Sequence, residues 1–377
     1  MRSERVTYAT GGFLVFVALL AFSIITLSNK KAEAQKEGSP ALRDVIEGAK
    51  KEGVLRLQWL SGNLSDAGLR AIVAAMNRRY KTNIRLEFTP GPDMQQMYSK
   101  ITQEKASRLA SSTDVNLMTG QHVARSLKVD LWKRVDWDAI LERPAPTDAI
   151  VNRVAPEGVA MMIGSAVVGI TYNTNLIKGS DIPVSMEDVF KPKWQGKIAS
   201  TPYATGLYHF AAPDMLGYDY MKNYTQRLAK HIGGLFSCTD VPRISSGEFL
   251  MMVFDCGSYS TLQYKKRGAP VDSTPIKEAT RINYFYMGVP VHATHPNAGT
   301  LLIAFLHTRE GQDLLWESAS LDLHFYPETH SRKVVLKAIN AGTKVMLDTA
   351  ERHLKIGTEE LVRINDEFIK ILREGGR

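Results

Sequence analysis

Val54-Leu55-Arg56-Leu57-Gln58-Trp59-Leu60 puts Leu55, Leu57 and Trp59 on one side of an extended chain and Arg56 and Gln58 on the other. That alternation is the period of a half-buried strand. The period then changes. Leu69, Ile72, Val73 and Met76 fall at i, i+3, i+4 and i+7, which predicts an amphipathic helix. Ile84, Leu86 and Phe88 alternate as a second strand, Met94, Met97, Tyr98 and Ile101 begin a second helix, and Asp114–Met118 reads as a third short strand. Ahead of the quoted stretch, Leu42, Val45, Ile46 and Ala49 form another helical stripe. Strands and helices alternating at this spacing predict right-handed βαβ units and a mostly parallel sheet. Ligands of open α/β sheets sit beyond the carboxyl ends of the strands. The turns Ser61-Gly62-Asn63 and Thr119-Gly120-Gln121 are therefore the first candidate binding loops.

A second cycle follows. Val167–Tyr172 is a strand-like run leading into Asn173-Thr174-Asn175, and Ile198-Ala199-Ser200 runs into Thr201-Pro202-Tyr203-Ala204-Thr205-Gly206. Gly234–Cys238, a polar segment around Ser245-Ser246-Gly247-Glu248, and Leu250–Cys256 read as strand, helix, strand. Asn283–Val291 is strand-like. Pro296 suits the first turn of a helix containing Leu301, Leu302, Phe305 and Leu306, and Thr308 suits the cap of the next. Leu361, Ile364, Phe368 and Ile371 mark a long final helix.

The 377 residues exceed one ordinary core, so two lobes are expected. A hydrophobic fraction of 44% with 23% charged residues excludes a disordered chain and a polytopic membrane protein. Arg2 and Arg5 precede an uncharged stretch from Thr7 to Asn29 with an apolar centre at Phe13–Leu27, followed by Lys30, Lys31 and Ala32-Glu33-Ala34. This order reads as an export signal over residues 1–34, cleaved after Ala34. The apolar run is also long enough to serve as an uncleaved tether over residues 12–28. Either way the remainder lies outside the cytoplasm, in the periplasm, and membrane contact is expected only through the leader if it is uncleaved. The net charge of +8 is scattered, the densest cluster being Lys265-Lys266-Arg267, and no nucleic-acid motif accompanies it.

Five short marks in order give a family resemblance: Lys50-Lys51-Glu52-Gly53, Tyr172-Asn173-Thr174-Asn175, Trp194-Gln195-Gly196-Lys197-Ile198, Ser246-Gly247-Glu248 at a helix start, and His295-Pro296-Asn297-Ala298 through Gly311-Gln312. The chain resembles the extracellular solute-binding proteins of ABC importers, in the ferric-iron, polyamine, thiamine and phosphonate-binding branch. The resemblance implies the type II periplasmic-binding-protein fold, two α/β lobes of mostly parallel sheet joined by hinge strands. It implies residues 35–168 in lobe 1, 169–289 in lobe 2, and 290–377 returning to lobe 1 with the C-terminal helices packed across the back.

On that fold four loops converge on the cleft. Ser61, Gly62 and Asn63 with Thr119, Gly120 and Gln121 serve from the first lobe. Thr201, Tyr203, Thr205 and Gly206 serve from the second, at the start of a helix whose free N–H groups favour an anion. The fourth loop brings Asp255, an amine partner or a helix cap, with Ser258 and with Tyr259 to stack on or bond the ligand. The two cysteines, Cys238 and Cys256, end consecutive strand-like segments and are expected to form a disulfide. If those strands are neighbours the cysteines lie within bridging range, about 5 Å.

No adjacent tyrosine pair of the iron-binding kind exists; Tyr284 and Tyr286 are separated by Phe285, and the histidines show no metal spacing. No cofactor or metal is expected, and no hydrolase motif points to catalysis. The function expected is periplasmic capture of a small polar solute, an organic anion among the candidates, for delivery to ABC permease subunits. A membrane-tethered sensory subunit is the alternative, and ferric-iron binding ranks below both.

Overall fold

A computed structural model describes residues 38–60 and 64–375 of the chain. The leader (1–34) and the loop Ser61-Gly62-Asn63 lie outside the described residues. Within them, no helix is long and apolar enough to cross a membrane.

The first lobe opens with the Pro40–Glu52 helix, capped by Ser39, whose hydroxyl accepts from the Leu42 N–H at 3.0 Å. It stops at Gly53, where φ is +66°, a left-handed cap that glycine adopts without a Cβ penalty. β1 (Val54–Leu60) and β2 (Arg85–Gly91) pair in parallel, Val54 opposite Arg85, around the Asp66–Tyr80 helix. The Met94–Ala106 helix then returns the chain to β3 (Asn116–Thr119), which meets β1 through the parallel bridge Leu57–Val115.

β4 (Met161–Val168) carries the chain to the second lobe. There β5 (Ile170–Asn173), β6 (Ala199–Ser200), β7 (Gly234–Leu235), β8 (Met251–Val253) and β9 (Val271–Thr274) form a sheet of order β7-β6-β8-β5-β9. β10 (Ala279–Gly288) crosses back antiparallel to β4, Arg281 opposite Val168 and Met287 opposite Met161. Its first half pairs in parallel with β11 (Lys344–Asp348), its second half antiparallel with β3. Each lobe has its own apolar core. Leu55, Leu57, Ile72, Phe285, Met287 and Leu301 lie in one; Ile170, Leu207, Phe210, Leu228, Val253 and Ala279 lie in the other. The fold is the two-lobed α/β architecture expected.

Three details differ from the sequence reading. The run Val167–Tyr172 is two strands broken at Gly169, where a Cβ would stand 2.2 Å from the Thr274 carbonyl oxygen. The helix near Ser246-Gly247-Glu248 is instead a single turn that ends before it, Pro242–Ser245, and Gly247 has φ +83°. The strands ahead of Cys238 and Cys256, β7 and β8, are not neighbours, because β6 lies between them. The segments beyond the strand ends curl together, and the disulfide forms with the Cα atoms 5.9 Å apart.

The tail touches both lobes. The Ala350–Ile356 helix packs on the Gly120–Ser126 helix of the first lobe, and the Thr358–Gly375 helix packs on the Tyr218–His231 helix of the second. Gly357, at φ +99°, joins the two.

Candidate functional site

β10 locates the gap between the lobes. Of the side chains on its odd-numbered face, Phe285 and Met287 enter the first core and Ala279 the second. Arg281 and Asn283 fall between the two cores, both buried, and Asn283 Nδ2 donates to the Cys256 carbonyl at 3.1 Å. Asp348 stands opposite Asn283 in register. Arg281 is 3% exposed; its Nε donates to Asp348 Oδ2 at 3.0 Å, its Nη2 donates to the same oxygen, and Nη2 also reaches Asn283 Oδ1 at 3.3 Å. Arg281 Nη1 is buried without a partner. Asp348 Oδ1 receives His353 Nε2 at 2.7 Å, and His209 Nε2 lies 3.6 Å from Oδ2.

Burial alone would raise the Asp348 pKa, but the Arg281 charge, with the hydrogen bond from His353, holds it well below the carboxylate range. Burial, reinforced by the Arg281 charge, pushes His209 well below its ordinary value and keeps it neutral. His209, Asp348 and His353 offer three ligand atoms within 4.8 Å of one another. Arg281 already supplies the positive charge on that carboxylate, so the cluster reads as a closed ion pair rather than a cation site.

The first-lobe wall is the start of the Gly120–Ser126 helix. Thr119 caps it, and the Thr119 N–H donates to His122 Nδ1 at 3.3 Å. That fixes the ring proton on Nε2, which donates to Gln95 Oε1 at 3.2 Å. Burial, with help from Arg125, lowers the His122 pKa to about 3. Gln121 Oε1 accepts from Tyr208 Oη at 3.1 Å. Because Tyr208 belongs to the second-lobe helix Leu207–Phe210, this bond joins the lobes directly. Gly120 serves a different neighbour from the one expected: a Cβ there would stand 2.8 Å from the Asp348 carbonyl oxygen. The backbone it admits is the tail's.

In the second-lobe wall, Thr201 is fully buried and its hydroxyl accepts from the Thr205 N–H at 3.2 Å, closing the turn. Gly206 has φ +77°, with the Phe254 ring where a Cβ would be. Thr205 Oγ1 lies 3.9 Å from Cys256 Sγ. Tyr203 is half-buried; burial raises its hydroxyl pKa, Ser237 opposes by hydrogen bonding, and Asp93 of the first lobe raises it further. The helix that follows has only four residues. Its few peptide dipoles give no anion site of the kind anticipated.

The fourth loop turns inward. Asp255 accepts from Gly169 N (3.0 Å), Gly257 N (2.9 Å), Thr171 Oγ1 (2.8 Å) and Ser273 Oγ (3.0 Å). Burial raises its pKa, and these four donors pull the other way. The carboxylate is committed to the lobe interior, neither pairing an amine nor capping the next helix. The Ser258 N–H donates to the Val167 carbonyl at 3.1 Å, docking the loop on β4. Tyr259 is 2% exposed and packs edge-on against Phe285, 5.2 Å between centroids, inside the first-lobe core.

The structure thus bonds Gln121 to Tyr208 across the lobes, leaves Thr119, Tyr203 and Thr205 on the loops flanking that bond, commits Asp255 and Tyr259 to the lobe interiors, and adds the buried Arg281–Asp348 pair. One signal for that pair was present in the sequence: Arg281 is the lone charge in the run Ala279–Val291. A charge on a strand covered on both faces needs a partner.

A family model described as bacterial extracellular solute-binding protein matches residues 71–332. No curated protein matches the chain in sequence. Among solved structures, the chain is similar to a substrate-binding protein of an ABC transporter from Agrobacterium tumefaciens, with TM-score 0.66, 14% identity, and coverage of 86% of this chain and 97% of that one. It is similar to the periplasmic binding protein AfuA of Actinobacillus pleuropneumoniae with fructose-6-phosphate bound, with TM-score 0.66, 17% identity, and coverage of 85% and 99%. Iron-bound HitA of Pseudomonas aeruginosa gives TM-score 0.58 and 20% identity, covering 86% and 99%.

Proposed function

The chain belongs to the bacterial extracellular solute-binding proteins, and from that premise we propose that it is the periplasmic receptor of an ABC importer. It captures a small polar solute between lobes of residues 35–168 and 169–289, with 290–377 completing the first lobe and the tail, and delivers it to the permease subunits. The observation that carries this reading is the 3.1 Å bond from Tyr208 Oη to Gln121 Oε1. A direct side-chain bond between lobes belongs to a closed cleft, and hinge closure is the working motion of two-lobed receptors.

Thr119, Gln121, Tyr203, Thr205, Tyr208 and Asn283 supply the ligand contacts in this reading, joined by Ser61-Gly62-Asn63. They are hydroxyls and amides, the groups that orient a polar solute in a small site. Iron is not the proposed cargo, because Tyr284 and Tyr286 are fully buried on the even face of β10, within a third apolar cluster.

The test is a thermal-shift screen of residues 35–377, followed by small-angle scattering with and without each ligand found. Compaction on binding, with Tyr208→Phe and Gln121→Ala each weakening affinity about fivefold to tenfold, supports the cleft. A ligand that binds both variants as tightly as the parent would remove it. N-terminal sequencing of the exported protein decides between a start near Gln35 and a retained leader.

A further inference from the structure

We infer that Asp348 is a resident anion at the cleft floor, and that by occupying Arg281 it makes the site select an uncharged, hydroxyl- or amide-bearing solute over an organic anion. The inference rests on the cleft reading above and goes further, to the class of solute.

Carboxylates and phosphates bind arginine best through two parallel donors on one edge of the guanidinium. On Arg281 that edge is taken, since Nε and Nη2 both donate to Asp348 Oδ2. Nη1, with two N–H groups, is buried without a partner, and the neighbouring Nη2 already reaches Asn283 Oδ1. No second parallel pair of donors is therefore free for a carboxylate or phosphate, and Nη1 suits hydroxyl or carbonyl oxygens. A second full negative charge there would face the Asp348 carboxylate across the same guanidinium, with little water to screen it.

Asp348 is held against stepping aside. Its backbone is paired in register with Asn283, its carbonyl oxygen is packed against Gly120, and its second carboxylate oxygen is bonded to His353. Among the other charges near the gap, Arg352 is ion-paired with the Asp214 carboxylate through Nη2 and keeps a buried Nη1 without a partner. Asp93 adds a negative charge beside Tyr203. Arg125 donates to Gln95 Oε1 at 3.4 Å and lies 5.5 Å over the Tyr98 ring. The remaining groups, Thr119, Gln121, Thr205, Tyr208 and Asn283, are neutral donors and acceptors.

The experiment uses matched probe pairs on the exported protein by isothermal titration: glucose with gluconate, fructose with fructose 6-phosphate, and a polyol with its phosphate ester. The neutral member is expected to bind at least tenfold tighter in any pair that binds; an anion binding equally or more tightly overturns the inference. Asp348→Asn, which keeps the shape and frees the Arg281 charge, is expected to shift the ratio of anionic to neutral affinity at least tenfold toward the anionic member. A folded variant, verified by circular dichroism, that shows no such shift also overturns it. Failure of the cleft reading looks different: Tyr208→Phe and Asn283→Ala then leave the affinity of every binder unchanged. If Asp348→Asn does not fold, the comparison of probe pairs on the unaltered protein decides alone.

Discussion

Replacing Asp255 separates two roles for this residue, anchoring a ligand amine and tying the interior of the second lobe. In the structure its carboxylate accepts four hydrogen bonds, two of them from the backbone N–H groups of Gly169 and Gly257. Asp255→Ala orphans both backbone donors in the interior, at about 1–3 kcal/mol each. The Thr171 hydroxyl has a second partner in Thr261 Oγ1 at 2.6 Å, so it is discounted. Relief of the carboxylate's burial offsets part of the loss, which leaves about 3 kcal/mol. Asp255→Asn keeps one acceptor oxygen for the two N–H groups and lets both hydroxyls turn to accept from its amide, so about 1 kcal/mol is expected. Urea unfolding followed by circular dichroism reads the series, and a thermal melt checks it, at about 1–2 °C per kcal/mol for a chain of this size. An Ala variant within 1 kcal/mol of the parent would show that the Asp255 carboxylate does not tie the lobe interior. So would an Asn variant of unchanged stability that has lost its ligand, because the carboxylate would then face the cleft.

Gly120→Ala places a methyl group 2.8 Å from the Asp348 carbonyl oxygen and the Thr349 carbonyl carbon, backbone atoms with no room to move. A loss of about 1–3 kcal/mol by chemical denaturation is expected, despite the gain in helix propensity. Reducing the Cys238–Cys256 bridge, which spans a sequence separation of 18, lowers stability by about 3 kcal/mol in the chain-entropy estimate; non-reducing peptide mapping confirms the linkage beforehand. Acid acts early. Burial lowers the pKa of His122 and of His307 to about 3 and that of His324 to about 4, against about 6.5 in the unfolded chain. The unfolded state therefore takes up protons first as pH falls below about 6.5, and stability drops by up to about 1.4 kcal/mol per pH unit for each histidine until the folded-state values are reached. Urea midpoints at pH 7, 6 and 5 measure it, and a flat series contradicts the burial of these rings.

The family was legible in this chain because its marks hold the scaffold to itself. The Glu52 carboxylate accepts from Asn297 N (3.1 Å), Asn297 Nδ2 (2.7 Å) and Ala298 N (2.8 Å), so the Lys50–Gly53 mark fastens the His295–Ala298 mark at the start of its helix. Asn173 donates to the Ile244 carbonyl at 2.8 Å and to that of Ser245 at 3.2 Å, fastening its own mark to the turn just ahead of Ser246-Gly247-Glu248. None of these residues reaches the interlobe floor, which is why the order of motifs named a fold and left the solute open. The floor was hidden for a related reason. Arg281 finds its partner 67 residues later, on a five-residue strand that carries no pattern of its own in the sequence. Asp255 and Tyr259 were read as ligand contacts because polar and aromatic residues after a strand suit a cleft. The backbone there turns back onto β4 instead, with Gly257 at φ +117° letting the loop press against Ala166.

The tail also fixes the order in which the protein can be assembled. The first-lobe core draws on segments from Leu42 to Leu321, and the second-lobe core includes Leu361, Ile364, Phe368 and Leu372 from the last helix. During synthesis neither lobe can complete its interior from the residues already made. Contacts between segments this far apart form slowly, because the intervening chain must be ordered before they repay it. The growing chain therefore completes the first-lobe core only once Leu321 is made, and the second lobe closes only when the final helix is present. Loss of the last twenty residues would strip the second lobe of one side of its core, so an intact carboxyl end is a condition for folding as much as a product of it.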